Sequence, residues 1–228
     1  MHFDITYFVE LLFSTKFLSA AWSVVWITIV SMMIGIIIGT IGGIVLTSPL
    51  PWLHPFVRGY VAIYRGIPVL VQIVFWYNGL AAITGGAINL PAIAAGILAL
   101  GVNEGAYMTE IVRSGITAVD RGQREASQAL DMSYSAMMRK IILPQALRVA
   151  IPPTGNEVIN VLKNTTLLFL IAVPEIFGTA VNIYSQNFKY FEVLCVVAIW
   201  YILIASCYAL IQATIETRFN RGRKALFA

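Results

Sequence analysis

Charge is scarce in this chain. Of its 228 residues only 11% are Asp, Glu, Lys or Arg, against 59% hydrophobic, whereas a soluble domain carries about 25% charged residues. Between Phe17 and Val57 there is no charged side chain at all. Histidine and cysteine are nearly missing too. His2 and His54 are isolated, and no His/Cys cluster has metal-ligand spacing, so no metal site is expected. Cys195 and Cys207 lie in one hydrophobic stretch; twelve positions apart on a helix they are separated by about 18 Å, too far to bridge, and are read as buried thiols. No Gly-x-x-x-x-Gly-Lys loop is present to cradle a phosphate, so ATP hydrolysis by this chain is excluded. No Gly-x-Ser-x-Gly or His-Glu-x-x-His motif points to a hydrolase, and no enzyme activity is expected. The net charge of +4 needs no nucleic-acid partner, because basic residues collect on the cytoplasmic side of membrane proteins.

What remains is an all-α integral membrane protein, a single transmembrane domain over residues 1–228. A crossing takes about 20 apolar residues. The hydrophobic stretches predict five spans, near residues 20–46, 56–80, 90–112, 153–180 (interrupted by Pro174) and 193–215. The amino terminus carries Asp4 and Glu10 without a basic region, which makes it a poor signal peptide. Residues 1–19 read instead as an external amphipathic segment, with Phe3, Phe8, Leu11 and Leu12 as apolar contacts. In the first span Gly35, Gly39, Gly42 and Gly43 form a small-residue stripe suited to close helix packing. Five spans put the ends on opposite sides. With residues 217–228 as a basic cytoplasmic tail, the inner side holds twelve of the fifteen basic residues, and the outer side only Lys16 and Lys189. The positive-inside rule therefore orients the amino terminus outward.

The polar run DRGQREASQALDMSYSAMMRKIILPQ interrupts this pattern between the third and fourth spans. It predicts two short helices. Asp120 caps the first, with Gln123 three residues on to return the bond. Ala126, Ala129 and Leu130 make that helix's apolar face. Asp131 stands where it must stop, Ser133 caps the second helix, and Pro144 ends it. A short helix held in a polar loop between spans is either a docking surface for a soluble partner or a solvated connector.

Glu125, Ala126, Ser127, Asp131, Ile141, Leu143 and Pro144 reproduce the spacing of the Glu-Ala-Ala loop, which resembles that of the ABC importer permeases. Ser127 replaces an Ala of that pattern and Asp131 its Gly. Asp is among the few residues that tolerate the left-handed conformation a Gly would adopt there. The segments YRGIPVLVQIVFWYNGL, NEGAYMTEIVRSGI and LKNTTLLFLIAVPEI resemble the polar amino-acid branch of that family, the permeases for histidine, glutamine and arginine. The resemblance implies a bacterial inner-membrane protein whose 120–144 loop is a coupling helix, with Gly122, Glu125, Ala126, Ser127, Ala129, Leu130, Asp131 and Ser133 contacting the ATPase. It further implies a dimer of permeases (a second copy or a paralogue), two ATP-binding subunits that hold ATP and Mg, an external solute-binding protein and an amino-acid substrate.

Polar groups inside a span cost about 2.5–3.5 kcal/mol near its middle and need a partner or a wet cavity. The third span carries Asn103, Glu104, Tyr107 and Glu110; the fourth carries Asn156, Glu157, Asn160, Lys163, Asn164 and Thr165. Their three-and-four spacing makes one broad polar face of the fourth helix. Counting rise along each helix puts Glu104 and Glu157 at similar depth. Glu104, Tyr107, Asn156, Glu157, Asn160, Lys163, Asn164 and Thr165 are the candidate substrate residues. Two readings stay open: the carboxylates clasp a cationic substrate, or they pair with Lys163 or an Arg and hold helices together. Lys163 in turn either receives a substrate carboxylate or neutralises Glu175. Paired carboxylates favour a basic amino acid over glutamine or glutamate. A stand-alone transporter driven by an ion gradient would suit the same residues but leaves the 120–144 loop unexplained.

Overall fold

The computed structural model describes residues 3–224, with side chains to residue 219; the rest of the expected basic tail lies outside the described side chains. All regular structure among the described residues is helical. α1 (Ile5–Leu12) and α2 (Thr15–Thr47) precede α3 (His54–Gly66). α4 (Val69–Val74) passes through a π turn at Phe75–Gly79 into α5 (Leu80–Ile83). Then come α6 (Ala92–Thr117), α7 (Arg121–Ala129), α8 (Tyr134–Met137), a π turn over Met138–Ile142, and α9 (Leu143–Asn164). A 3-10 segment (Thr165–Ile171), α10 (Ile176–Asn187) and α11 (Tyr190–Lys224) complete the chain. Two helices, α2 and α11, are long and apolar enough to cross a membrane, or up to four if each of two broken pairs counts as one span. α6, which carries Asn103, Glu104, Glu110 and Arg113, is not among them.

Two expectations about helix continuity are corrected. The second span is not one helix over 56–80: Pro68 has no N–H and drives Ile67 into extended geometry (φ −97°, ψ 131°), which closes α3. Pro144 does the opposite of what its type suggests and lies inside helical backbone, as do Pro152 and Pro153. The π turn just before Pro144 shifts the hydrogen-bond register by one residue, which relieves the ring's clash with the preceding turn. The fourth span therefore starts well before Pro153. Cys207, expected to be buried, is exposed on α11, while Cys195 is partly so.

The chain forms two compact units. The first comprises Met1–Met33, Pro68–Gly101 and Val158–Ile211. Phe17, Ala20, Ala21 and Val24 of α2 pack there with Leu162, Ile176, Ala180, Val193 and Val196. A second cluster joins Ile27, Ile73, Ala95, Ala99, Leu168 and Ile171. α1 is tied into this unit by polar bonds. Asp4 caps it by accepting from the Tyr7 N–H at 3.0 Å and receives the Lys189 ammonium at 2.7 Å. That ammonium lies 4.2 Å from the centre of the Tyr7 ring, and Asn187 donates to the Tyr7 hydroxyl at 2.6 Å.

The second unit comprises Ile34–Ile67, Val102–Glu157 and Gln212–Ala228. Its helices meet along the glycine stripe. Cβ atoms added at Gly35, Gly39, Gly42 and Gly43 would collide with Glu104, Met108, Thr109 and Val112 respectively, so α2 and α6 touch backbone to side chain here. Ile116, Val119, Met137, Met138, Ile142 and Ala146 form the core around the polar loop.

Candidate functional site

In the second unit α3 is pinned to α6 by hydrogen bonds. The Tyr60 hydroxyl donates to the Val102 carbonyl at 2.6 Å, and the Asn103 amide donates to the Tyr64 carbonyl at 2.9 Å. These bonds consume Asn103. Arg65, also on α3, lies 5.3 Å from the centre of the Tyr107 ring, a cation–π arrangement. Glu110 accepts two bonds from Arg113, at 2.9 and 2.7 Å, one turn along the same helix.

Glu104 is different. It is 3% exposed, its side chain lies in the space left by Gly35, and its Oε1 is buried with no hydrogen-bond partner. No ion pair to Glu104 forms among the described residues; the two pairs present are Glu110–Arg113 and Asp4–Lys189. Glu157 on α9 lies within electrostatic reach of Glu104.

The other candidates divide between the units. Asn156, exposed, and Glu157, half-buried, stand with Glu104 and Tyr107 in the second unit. Asn160 and Lys163, both exposed, and the half-buried Asn164 belong to the first unit. Thr165 is buried there and donates to the Leu162 carbonyl at 2.7 Å. Lys163 does not neutralise Glu175. That buried carboxylate caps α10, accepting from the N–H groups of Phe177 (2.8 Å) and Gly178 and from the Tyr201 hydroxyl at 3.1 Å. The sequence reading missed Arg65 as a neighbour of Tyr107; its seven-residue spacing from Arg58 on one helix face was the available signal.

The 120–144 loop is built as two capped helices. Asp120 accepts from the Gly122 N–H at 2.8 Å, and Ser133 accepts from Ala136 at 3.3 Å. The expected return bond from the Gln123 side chain does not form. Asp131 has φ 50°, the left-handed conformation expected at that stop. Met132 N–H then reaches back to the Ser127 carbonyl at 3.1 Å, as in a helix C-cap. The face of α7 turned inward is not the expected one. Ser127 is buried and donates to the Gln123 carbonyl at 2.6 Å, and Arg124 donates to the Ile116 carbonyl at 3.0 Å. Ala126, Ala129 and Leu130 are exposed, Leu130 at 75%. Only Ser127 and the half-buried Arg124 of this helix are turned inward, and Ala126, Ala129 and Leu130 are left outside with the exposed Gly122 and Glu125.

A family profile described as "binding-protein-dependent transport system inner membrane component" matches residues 31–221. The chain belongs to that family. This permease is 40% identical to the arginine transport system permease protein ArgU of Corynebacterium glutamicum over 226 residues, 92% of this chain and 70% of that one. It is 31% identical to the glutamine transport system permease protein GlnP of Escherichia coli K12, over 86% of this chain and 89% of the other. A solved amino acid ABC transporter, crystallised with histidines, superposes with a TM-score of 0.86 at 32% identity, covering 96% of the permease and 100% of that chain. The permease is thus a multi-pass inner-membrane transport component and not an enzyme.

Proposed function

We propose that this permease carries a basic amino acid. The chain is the permease subunit of an amino-acid ABC importer, the class to which its arginine- and glutamine-transport relatives belong. The observation that carries the finer reading is Glu104: a buried carboxylate with an unsatisfied Oε1, no ion pair among the described residues, and Glu157 within electrostatic reach. An unpaired buried carboxylate is costly, and a guanidinium or ammonium from the cargo satisfies it. A glutamine side chain offers a weaker, neutral bond.

The same reading takes α2, α3–α5, α6, α8–α10 and α11 as five crossings, with residues 1–19 outside and 217–228 in the cytoplasm. The 120–144 loop then faces an ATP-binding subunit that holds ATP and Mg, and the exposed Ala126, Ala129 and Leu130 supply an apolar contact for it. A second permease, identical or paralogous, and an external solute-binding protein complete the importer.

The test is uptake by the complete complex in liposomes, comparing arginine with glutamine. A charge-assisted hydrogen bond contributes about 1.5–3 kcal/mol, so Glu104→Gln raises the arginine half-saturation concentration by roughly tenfold or more and leaves glutamine nearly unchanged. Arginine import by Glu104→Gln at wild-type rate and half-saturation would show that the carboxylate is structural.

A further inference from the structure

A cavity of about 360 Å³ in the second unit is lined by Leu46, Thr47, Arg58, Glu110, Arg113 and Thr117. Its charges do not cancel. Glu110 is engaged by Arg113, both bonds falling on the one oxygen Oε2, while Arg58 makes no hydrogen bond or ion pair among the described residues. One guanidinium is therefore left over. Both threonine hydroxyls donate to backbone carbonyls of their own helices, Thr47 to Gly43 and Ile44, Thr117 to Arg113 and Ser114. They supply no carboxylate-like acceptor for it.

The cavity's position says what can reach it. Leu46 and Thr47 are the last residues of the apolar helix Thr15–Thr47, so the cavity lies at the end of that helix. Trp52 (65% exposed) and Phe56 (73% exposed) accompany Arg58 just after it. Aromatic rings beside a basic residue at the end of a span mark the level of the lipid headgroups. Basic pockets at this level bind acidic headgroups.

We infer that this cavity is a binding site for a phosphate anion at the membrane surface, drawn by Arg58 and the free side of Arg113. The site is separate from Glu104 and does not depend on which amino acid is carried. Two sources share that chemistry, the headgroup of an anionic phospholipid and soluble inorganic phosphate. In the first arm, the full chain is exposed to equal amounts of phosphatidylglycerol and phosphatidylcholine with the same acyl chains, and retained lipid is read by native mass spectrometry. The wild type prefers phosphatidylglycerol. Removing one basic group near the surface lowers that preference about fivefold in Arg58→Gln, and Arg58→Lys keeps most of it. In the second arm, inorganic phosphate is compared with chloride at matched ionic strength in lipid-free detergent. Phosphate stabilising the wild type but not Arg58→Gln against heat, with no lipid preference in the first arm, assigns the site to the soluble anion. A preference for phosphatidylglycerol that survives in Arg58→Gln overturns the inference, as does the absence of any Arg58-dependent effect in both arms.

Discussion

Gly39 and Gly59 are both helical glycines, and replacing each by alanine should move stability in opposite directions. At Gly39 an added Cβ would overlap the Met108 Cβ and stand 2.6 Å from the Met108 carbonyl carbon and 2.8 Å from the Thr109 backbone nitrogen. Two of these three atoms are backbone of α6, so no rotamer change relieves the contact; the two helices must move apart. Overpacking of this kind costs about 1–3 kcal/mol. In a membrane the loss is not softened, because close van der Waals packing is itself what holds such helices together. Against it stands the gain of about 0.5–1 kcal/mol from removing a glycine's backbone freedom in a helix. The net for Gly39→Ala is a loss of roughly 1–2 kcal/mol. At Gly59 an added Cβ meets nothing within 4 Å, so only the gain remains. At about 2–4 °C per kcal/mol for a chain of this size, Gly39→Ala melts several degrees below wild type and Gly59→Ala a degree or more above it. Melting curves of the purified full chain in one detergent measure both. Gly39→Ala melting at or above wild type would refute the claim that α2 and α6 are in backbone contact there.

Asp131→Gly relieves a left-handed residue (φ 50°) and should stabilise the loop by about 0.5–1 kcal/mol, measured by the same melting curves; a severe loss would mean that the Asp131 carboxylate makes a contact of its own. Glu125→Lys places the wrong charge beside the exposed patch of α7 and should leave insertion and melting unchanged while abolishing ATP-driven uptake by the assembled complex. Import at wild-type rate would make the loop a connector only. The bond from Lys189 holds the Asp4 carboxyl below its usual 3.8, and the bond to Asp4 holds Lys189 above its usual 10.5. The lowered carboxyl contributes above pH 3.8 and is lost as pH falls through its folded value; the raised ammonium contributes below pH 10.5 and is lost as pH rises through its own. A spin label at the exposed Val9 should therefore stay immobile across this range and loosen only beyond it, whereas Asp4→Asn loosens it throughout.

Local chemistry was legible at most positions where it acts within a few residues, the missing Gln123 return bond being the exception. Asp120 and Ser133 cap where their side chains and the following apolar pattern place them, and Asp131 takes the conformation that its neighbours' hydrogen bonds demand. Proline was legible only in part: Pro174 falls in the expected break between the 3-10 segment and α10, but residue type alone does not decide between breaking and being absorbed. Pro68 follows Gly66 and Ile67, both exposed, and the helix stops. Pro144 follows Met138 and Ile142, which are buried in the core of the second unit. Ending the helix before Pro144 would pull those side chains out of that core, so the backbone keeps its helical course and takes up the misfit as a π turn. The face of α7 was misread for a related reason. Amphipathic patterning locates an apolar side but not its neighbour, and here an inward neighbour is the Ile116 carbonyl, which Arg124 serves better than Leu130 would.

At the candidate site the spacing argument put Glu104 and Glu157 at similar depth but could not rank the polar residues, because a sequence shows donors and acceptors without showing which are already used. The structure removes them in turn. Asn103 is spent on the Tyr64 carbonyl, Glu110 on Arg113, Thr165 on Leu162, and Glu175 on the start of α10. Tyr107 is covered by Arg65. Two buried side-chain atoms are left without a hydrogen bond among the described residues of the second unit, the Nε2 of His54 and the Oε1 of Glu104, and only the second belongs to a carboxylate. A group left unsatisfied at that depth costs stability in the empty protein. Its retention is understandable if a donor arrives with the cargo, and the donor must then be one that crosses and leaves. That is why the contrast between arginine and glutamine, and not the presence of transport as such, is the measurement on which the reading of this site turns.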